Sequence, residues 1–285
     1  MKLFYYIPGE KRNNGPRNFF RLLKKYLIQN GHQLIEFSNK AKEKEILFSN
    51  FCLLDVETAR IAQNLGMKLI VRADGLHPVL YEYLKELERY VDLFIFQSEY
   101  SRRAFLSRNP NIKNCVIYNG TKIVAKIEKV GVRSLFFYSK YYEIREPHKY
   151  HNVLKPLVQD WCNKNYIEFV EHFKGRNVLI GEDAFLKILE KTDCLVHTVN
   201  EDPCPNTVIE AMARSNPVIG LNNGGVPELT LNELLIDAEN PKTVLVILDN
   251  VRDNYVKYRD LSYDRCVRNF NIEDICKKYE EMFWR

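Results

Sequence analysis

Short apolar runs of strand length alternate with longer runs of helical period along nearly the whole chain. Residues 3–7, 33–37, 46–48, 68–71, 93–97 and 116–118 are rich in branched and aromatic side chains, the composition of buried strands. Between them, residues 17–29, 56–64, 79–90 and 100–106 space apolar side chains three and four apart, as helices packed on one side do. A parallel strand pair needs a crossover, so alternation of this kind predicts an α/β fold, a parallel sheet covered by helices. Around 119–130 the pattern breaks into Asn-Gly-Thr and a Lys-rich segment, where an interdomain linker is expected. It then restarts, with strands at 134–139, 167–170, 178–180, 194–199 and 218–220 and a helix at 148–162. From about Pro241 onward the chain reads as helical. The predicted division is 1–122, 123–270 and a terminal helix within 271–285.

Two domains suit a chain of 285 residues, and 46% apolar residues suffice for two cores. No run is long and apolar enough to span a bilayer. The first eight residues are too short an apolar stretch for a signal peptide and read as a strand. Seven cysteines without a Cys-x-x-Cys pair favour reduced thiols and a cytoplasmic setting. A formal charge of +5 accommodates an anionic ligand but is too small to indicate nucleic acid.

The densest chemistry lies between Asp202 and Glu228. A short strand ends near Val199, Pro203 and Pro205 hold the next turn extended, and Asn206 is expected to cap a helix. Val208, Ile209, Met212 and Ala213 fall on one face of that helix. A second strand follows at Pro-Val-Ile, then Gly224-Gly225, a loop whose backbone can approach a ligand closely. A helix start suits a phosphate. Glu210, one turn in, could accept from vicinal hydroxyls, and Asp202 could hold a third. Phosphate, ribose and sugar hydroxyls together describe a nucleotide-sugar.

This stretch resembles the donor-binding signature of retaining GT-B glycosyltransferases of the family-4 group: an acidic pair separated by seven residues, an Ala-rich helix, a Pro-Val-Ile strand and a Gly-Gly…Glu loop. Two departures stand out. Asp202 replaces the usual Glu, and Ser215 replaces a usual Gly between helix and strand. The resemblance implies two Rossmann-like domains facing a central cleft, the second holding the donor, with the final helix at 272–284 crossing back to the first. It implies transfer from a nucleoside-diphosphate-sugar to a glycan, glycolipid or other hydroxyl acceptor, with retention. The sequence has no Asp-x-Asp element of the kind metal-dependent GT-A enzymes use, so a cationic leaving-group site without metal or other cofactor is expected. The first domain is short for the family.

The resemblance also assigns residues. Arg145 and Lys149 would neutralise the departing diphosphate, with Lys140 an alternative cation; fixed cations act most strongly where charge grows. Asp74, in Arg72-Ala-Asp74-Gly75, could orient an acceptor hydroxyl, and His77 could contact sugar oxygens. Gly15, Pro16 and Arg17 occupy the place of the family's Gly-rich loop, though they also suit an ordinary strand–helix turn. Ser139, Cys204, Pro205, Asn206, Thr207, Glu210, Gly224, Gly225 and Glu228 complete the expected donor contacts. Gln97–Ser101 and Asn119-Gly120 match family elements and read mainly as strand-end and linker structure. His197 either faces the sugar or sits in the core. His148 and His151 lack a third ligand at metal spacing.

Residues 17–29 set Arg17, Arg21, Lys24 and Lys25 beside apolar positions, which suits a peripheral membrane contact or, more ordinarily, a core-packed helix with a solvated basic face. An inactive nucleotide-sugar-binding relative is the main rival reading, although Arg145, Lys149 and Glu210 are all retained. A nicotinamide-dependent oxidoreductase would require Gly-x-Gly-x-x-Gly after the first strand, which is absent.

Overall fold

Strand β1 (Lys2–Tyr6) starts a six-stranded sheet whose members are all parallel. The others are β2 (Gln33–Glu36), β3 (Ile46–Asn50), β4 (Lys68–Ala73), β5 (Leu93–Phe96) and β6 (Asn114–Val116), in the order β2-β1-β3-β4-β5-β6. The computed structural model describes residues 2–8, 15–38, 45–73, 85–107, 111–140, 148–174 and 181–284. The chain divides into two compact units, Met1–Asn119 with Ile272–Arg285, and Gly120–Asn271.

In the first unit, side chains alternate across β1 as the pleat requires. Leu3 and Tyr5 join the cluster under α1 (Gly15–Gln29) and α10 (Ile272–Phe283), while Phe4 joins the cluster under α2 (Val56–Asn64) and α3 (Glu99–Leu106). Asp55 caps α2 by accepting from the Thr58 amide at 2.7 Å, and Ser98 caps α3 by accepting from the Ser101 amide at 3.1 Å. Helix α1 is core-packed through Phe19, Phe20, Leu23 and Leu27, with Lys24 donating to the Tyr5 hydroxyl at 2.9 Å. Leu22 and Ile28 remain exposed on its outer side. Helix α10 closes that layer: Tyr279 packs on Phe19 and Phe48, and Phe283 on Phe48. Ile275 and Cys276 are buried on the same side, while Met282 is only partly so.

The second sheet contains β7 (Ser134–Lys140), β8 (Glu168–Lys174), β9 (Cys194–His197), β10 (Val218–Leu221) and β11 (Leu235–Ile236). All pairs are parallel, in the order β11-β10-β9-β7-β8. One face packs on α4 (His148–Lys164) and α8 (Thr243–Asp253) through Leu154, Val158, Trp161, Val244 and Leu248. Helices α5 (Glu182–Lys191) and α6 (Asn206–Met212) lie against β7 and β9, and α6 also packs on α9 (Tyr255–Phe270).

The segment entering this unit is stapled to it. Lys129 Nζ donates to Asn216 Oδ1 at 2.7 Å and to the Thr192 carbonyl at 2.5 Å. The Ile127 amide donates to Ser215 Oγ at 2.9 Å, and Tyr263 donates to the Val124 carbonyl at 2.8 Å. Thr121 bridges Asn271, so the chain enters and leaves the unit side by side.

Several expectations shift. The strand expected at 116–118 is Asn114–Val116, and β11 was not foreseen. Asn206 does not cap α6: Pro205 takes the extended capping position without a side-chain bond, and Asn206 is the first helical residue. Pro205 is accommodated there because its fixed φ of −65° is compatible with the extended capping conformation. The strand expected at 178–180 and the first half of the helix at 79–90 lie outside the described residues.

Candidate functional site

In a doubly wound sheet, the strand order reverses at one point, and the crevice at the carboxyl ends there is the usual ligand site. In the second unit the reversal falls between β7 and β9. Their carboxyl ends bring Tyr138 level with His197. The two rings stack, with centroids 5.7 Å apart and planes 17° from parallel. Tyr138 also contacts Phe185 and His172. His197 is fully buried in this aromatic layer, which favours the core reading of that residue.

The loop after β9 delivers the acidic motif to the same place. Thr207, in the first turn of α6, hydrogen-bonds the Tyr138 phenol, and the Asp202 and Glu210 carboxylates act on it electrostatically. Burial pushes the phenol well above its usual range, and the two carboxylates add to that shift. Four side chains from three segments, Tyr138, Asp202, Thr207 and Glu210, thus share one neighbourhood. Asp202 Oδ1 accepts from the Cys204 amide at 3.2 Å, fixing the turn into α6. Cys204 and Pro205 are buried, whereas Asn206 is exposed at the helix start. Ser139, the next residue along β7, is fully buried and its hydroxyl has no hydrogen-bond partner among the described residues.

The glycine pair packs against the acidic loop. Gly225 donates its amide to the Asp202 carbonyl at 2.8 Å. A Cβ at Gly225 would lie 1.8 Å from the Pro203 carbonyl oxygen, and one at Gly224 would lie 2.7 Å from that of Asp202. Gly224 is also left-handed, at φ +61°. The close approach these glycines permit is to the acidic loop itself. Glu228 follows in α7 (Val226–Leu229), and its carbonyl accepts from Arg265 at 2.8 Å.

Ser215, the departure from the resembled pattern, sits at φ +61°, a conformation glycine adopts freely. Its hydroxyl is engaged by the linker amide of Ile127. A glycine would relieve the backbone there but would lose this bond to the linker.

In the first unit, α1 begins at Gly15 and Pro16, two residues earlier than expected from apolar spacing. Arg17 is buried and donates from Nε and Nη2 to the Pro8 carbonyl at 3.1 and 2.8 Å, tying the start of α1 to the residues just after β1. Sequence reasoning passed over a second cluster. Arg72 donates to Asn119 Oδ1, lies 3.9 Å over the Phe19 ring, and is buried; Asn119 in turn donates to Gln97 at 3.2 Å. Three motifs read separately therefore meet at one end of the sheet.

Arg145, Asp74 and His77 lie outside the described residues. Lys149 is the second residue of α4, and Lys140 ends β7. His151 approaches Glu171 at 3.3 Å, where Lys155 also binds at 2.6 Å. Among the described residues no group of three His, Cys, Asp or Glu could hold a metal ion, and no helix is long and apolar enough to cross a membrane.

Two Rossmann-like units, with a last helix packed on the first, define the GT-B fold. Solved structures of that fold match the chain over nearly its full length. HepE of Anabaena, in complex with UDP, superposes with a TM-score of 0.70 at 16% identity, covering 99% of this chain and 98% of that one. Sucrose-phosphate synthase from Thermosynechococcus elongatus gives 0.67 at 13% identity over 99% and 98%. A glycosyltransferase from Rickettsia africae gives 0.64 at 11% identity over 99% and 97%. No family model and no curated protein matches the sequence. At such identities the likeness establishes the fold.

Proposed function

We propose that the protein is a retaining GT-B glycosyltransferase of family-4 type, moving a sugar from a nucleoside-diphosphate-sugar to a hydroxyl acceptor. The observation that carries this reading is the gathering of Asp202, Thr207 and Glu210 around Tyr138 at the reversal point of the second sheet. Two carboxylates on one rim suit a polyhydroxylated ligand, because each ionised oxygen accepts from hydroxyl donors. HepE, similar in fold throughout, has also been crystallised with UDP-glucose.

In this reading Glu210 anchors the ribose, Asp202 holds the transferred sugar, and Ser139 and the start of α6 lie beside the diphosphate. Arg145 and Lys149 stabilise the leaving group as its charge grows, the role in which fixed cations lower a barrier most. Asp74 and His77 belong to the acceptor side. The leaving phosphate itself helps to take the acceptor proton, so no protein nucleophile is needed. The acceptor is a glycan, glycolipid or other hydroxyl compound.

The direct test is a panel of nucleotide-sugars screened by thermal shift, then turnover of the binding member with and without EDTA. Transfer is expected to persist in EDTA, and NMR of the first product is expected to show the donor's anomeric configuration. Activity abolished by EDTA would remove the cation-only leaving-group site. An inverted product would remove the chain from the retaining group.

A further inference from the structure

The acidic loop is braced from the side by a residue that belongs to neither carboxylate. Asn223 Nδ2 donates to Asn200 Oδ1 at 2.6 Å, and the Glu201 amide donates to Asn223 Oδ1 at 3.3 Å. One side-chain amide thus spans the loop just before Asp202, using donor and acceptor together. Between those two bonds Glu201 takes φ +52°, a left-handed conformation that a non-glycine residue holds only where its surroundings impose it. Directly after the bend, the Asp202 carbonyl receives the Gly225 amide and its carboxylate receives the Cys204 amide. The bend therefore fixes where Asp202 starts, and the two later bonds fix where its carboxylate points.

We infer that Asn223 is a positioning residue for the sugar end of the donor: through Asn200 and the strained bend at Glu201 it aims Asp202, and so sets recognition of the transferred sugar rather than of the nucleotide. The inference rests on the assignment of Asp202 to the donor sugar. Its physical basis is preorganisation, since a carboxylate held in place before binding loses less freedom when the ligand arrives. Glu210 stands on α6, outside the brace, so the nucleoside diphosphate is held independently of it.

The test uses Asn223→Ala and Asn200→Ala in the full chain, with Asn200→Asp as the conservative variant that still accepts from Asn223. Hydrogen exchange is followed in the peptide covering 200–205. Affinity is measured by calorimetry for UDP, GDP and ADP and for UDP-glucose, GDP-mannose and ADP-glucose. Both alanine variants are expected to exchange faster in 200–205. They should bind the free diphosphate as wild type does and the matching sugar-nucleotide about tenfold more weakly, the loss of one charge-assisted hydrogen bond. Asn200→Asp is expected to restore both properties. Unchanged exchange overturns the inference. So does faster exchange with unchanged sugar-nucleotide affinity, or equal weakening of diphosphate and sugar-nucleotide. Wild-type protein that binds no member of the set overturns the donor reading and this inference with it, a failure visible in the unmutated chain.

Discussion

Glu210 and Lys129 show how differently a charged side chain can be used in one unit. Glu210 stays half-buried on the rim, close enough to Tyr138 for its charge to be felt. Glu210→Gln preserves shape and removes the charge. It is expected to leave the melting temperature near wild type and to lower kcat/KM for the donor by at least ~1.5 kcal/mol, the lower range for a hydrogen bond to a charged group. Steady-state kinetics check this. Lys129 is the opposite case. Burial pulls its ammonium down to about 8 from an ordinary 10.5. The unfolded chain therefore holds this proton up to about pH 10.5, while the folded chain releases it from about pH 8. Because the unfolded state binds more protons across that window, this residue makes stability rise with pH from about 8 to 10.5. Urea denaturation at pH 8 and pH 10 should show the rise in wild type and a flatter response in Lys129→Met. An identical response in both proteins would assign the dependence to other groups.

At the scale of elements, the loop after β9 and the loop after β10 form one object. Gly225→Ala forces a Cβ into the Pro203 carbonyl, so the loops must part. The expected cost is about 1–3 kcal/mol of stability, as for other overpacked sites, together with loss of donor binding; thermal denaturation and donor titration measure the two effects. At Ser215 two terms compete. Glycine relieves about 1 kcal/mol of left-handed strain, whereas losing the Ile127 bond leaves a partly buried amide without its partner at about 1–3 kcal/mol. Alanine loses the bond and keeps the strain. Ser215→Ala is therefore expected to be less stable than Ser215→Gly by about 1 kcal/mol, read from paired denaturation curves.

These same elements mark what the sequence disclosed. The strand–helix alternation was legible because hydrophobic period is a local property, and the buried face of α6, Val208, Ile209, Met212 and Ala213, followed from it. Strand β11 has only two residues, too few to show alternation. The packing of Gly224 and Gly225 on the acidic loop was hidden because their partners lie more than twenty positions earlier, in a loop of different character. Tyr138 carried no motif; only the pairing of β7 with β9 sets it beside the carboxylates. The Arg72–Asn119–Gln97 cluster likewise depends on three strand ends meeting, which no single window of sequence contains.

At the scale of the whole molecule, the first unit is discontinuous, its core completed by α10 from beyond the second unit. Tyr279 and Phe283 are fully buried against Phe48. Tyr279→Ala is expected to cost about 3–5 kcal/mol, the range for a buried aromatic truncated to alanine. Calorimetry of the variant should show that loss in one transition, assigned to the first unit, with the second unit's transition unmoved. A uniform shift of all melting would mean that the two unfold as one. The order of synthesis adds a temporal consequence. Residues of the first sheet leave the ribosome first, yet the helix that seals Phe19 and Phe48 is translated only after the entire second unit. Domains generally fold as they are made. Here the later-made unit, continuous from Gly120 to Asn271, has its whole sequence available before the earlier one does. Until Ile272–Phe283 arrives, Phe19 and Phe48 lack the helix that covers them, and the unit begun before the other is completed after it.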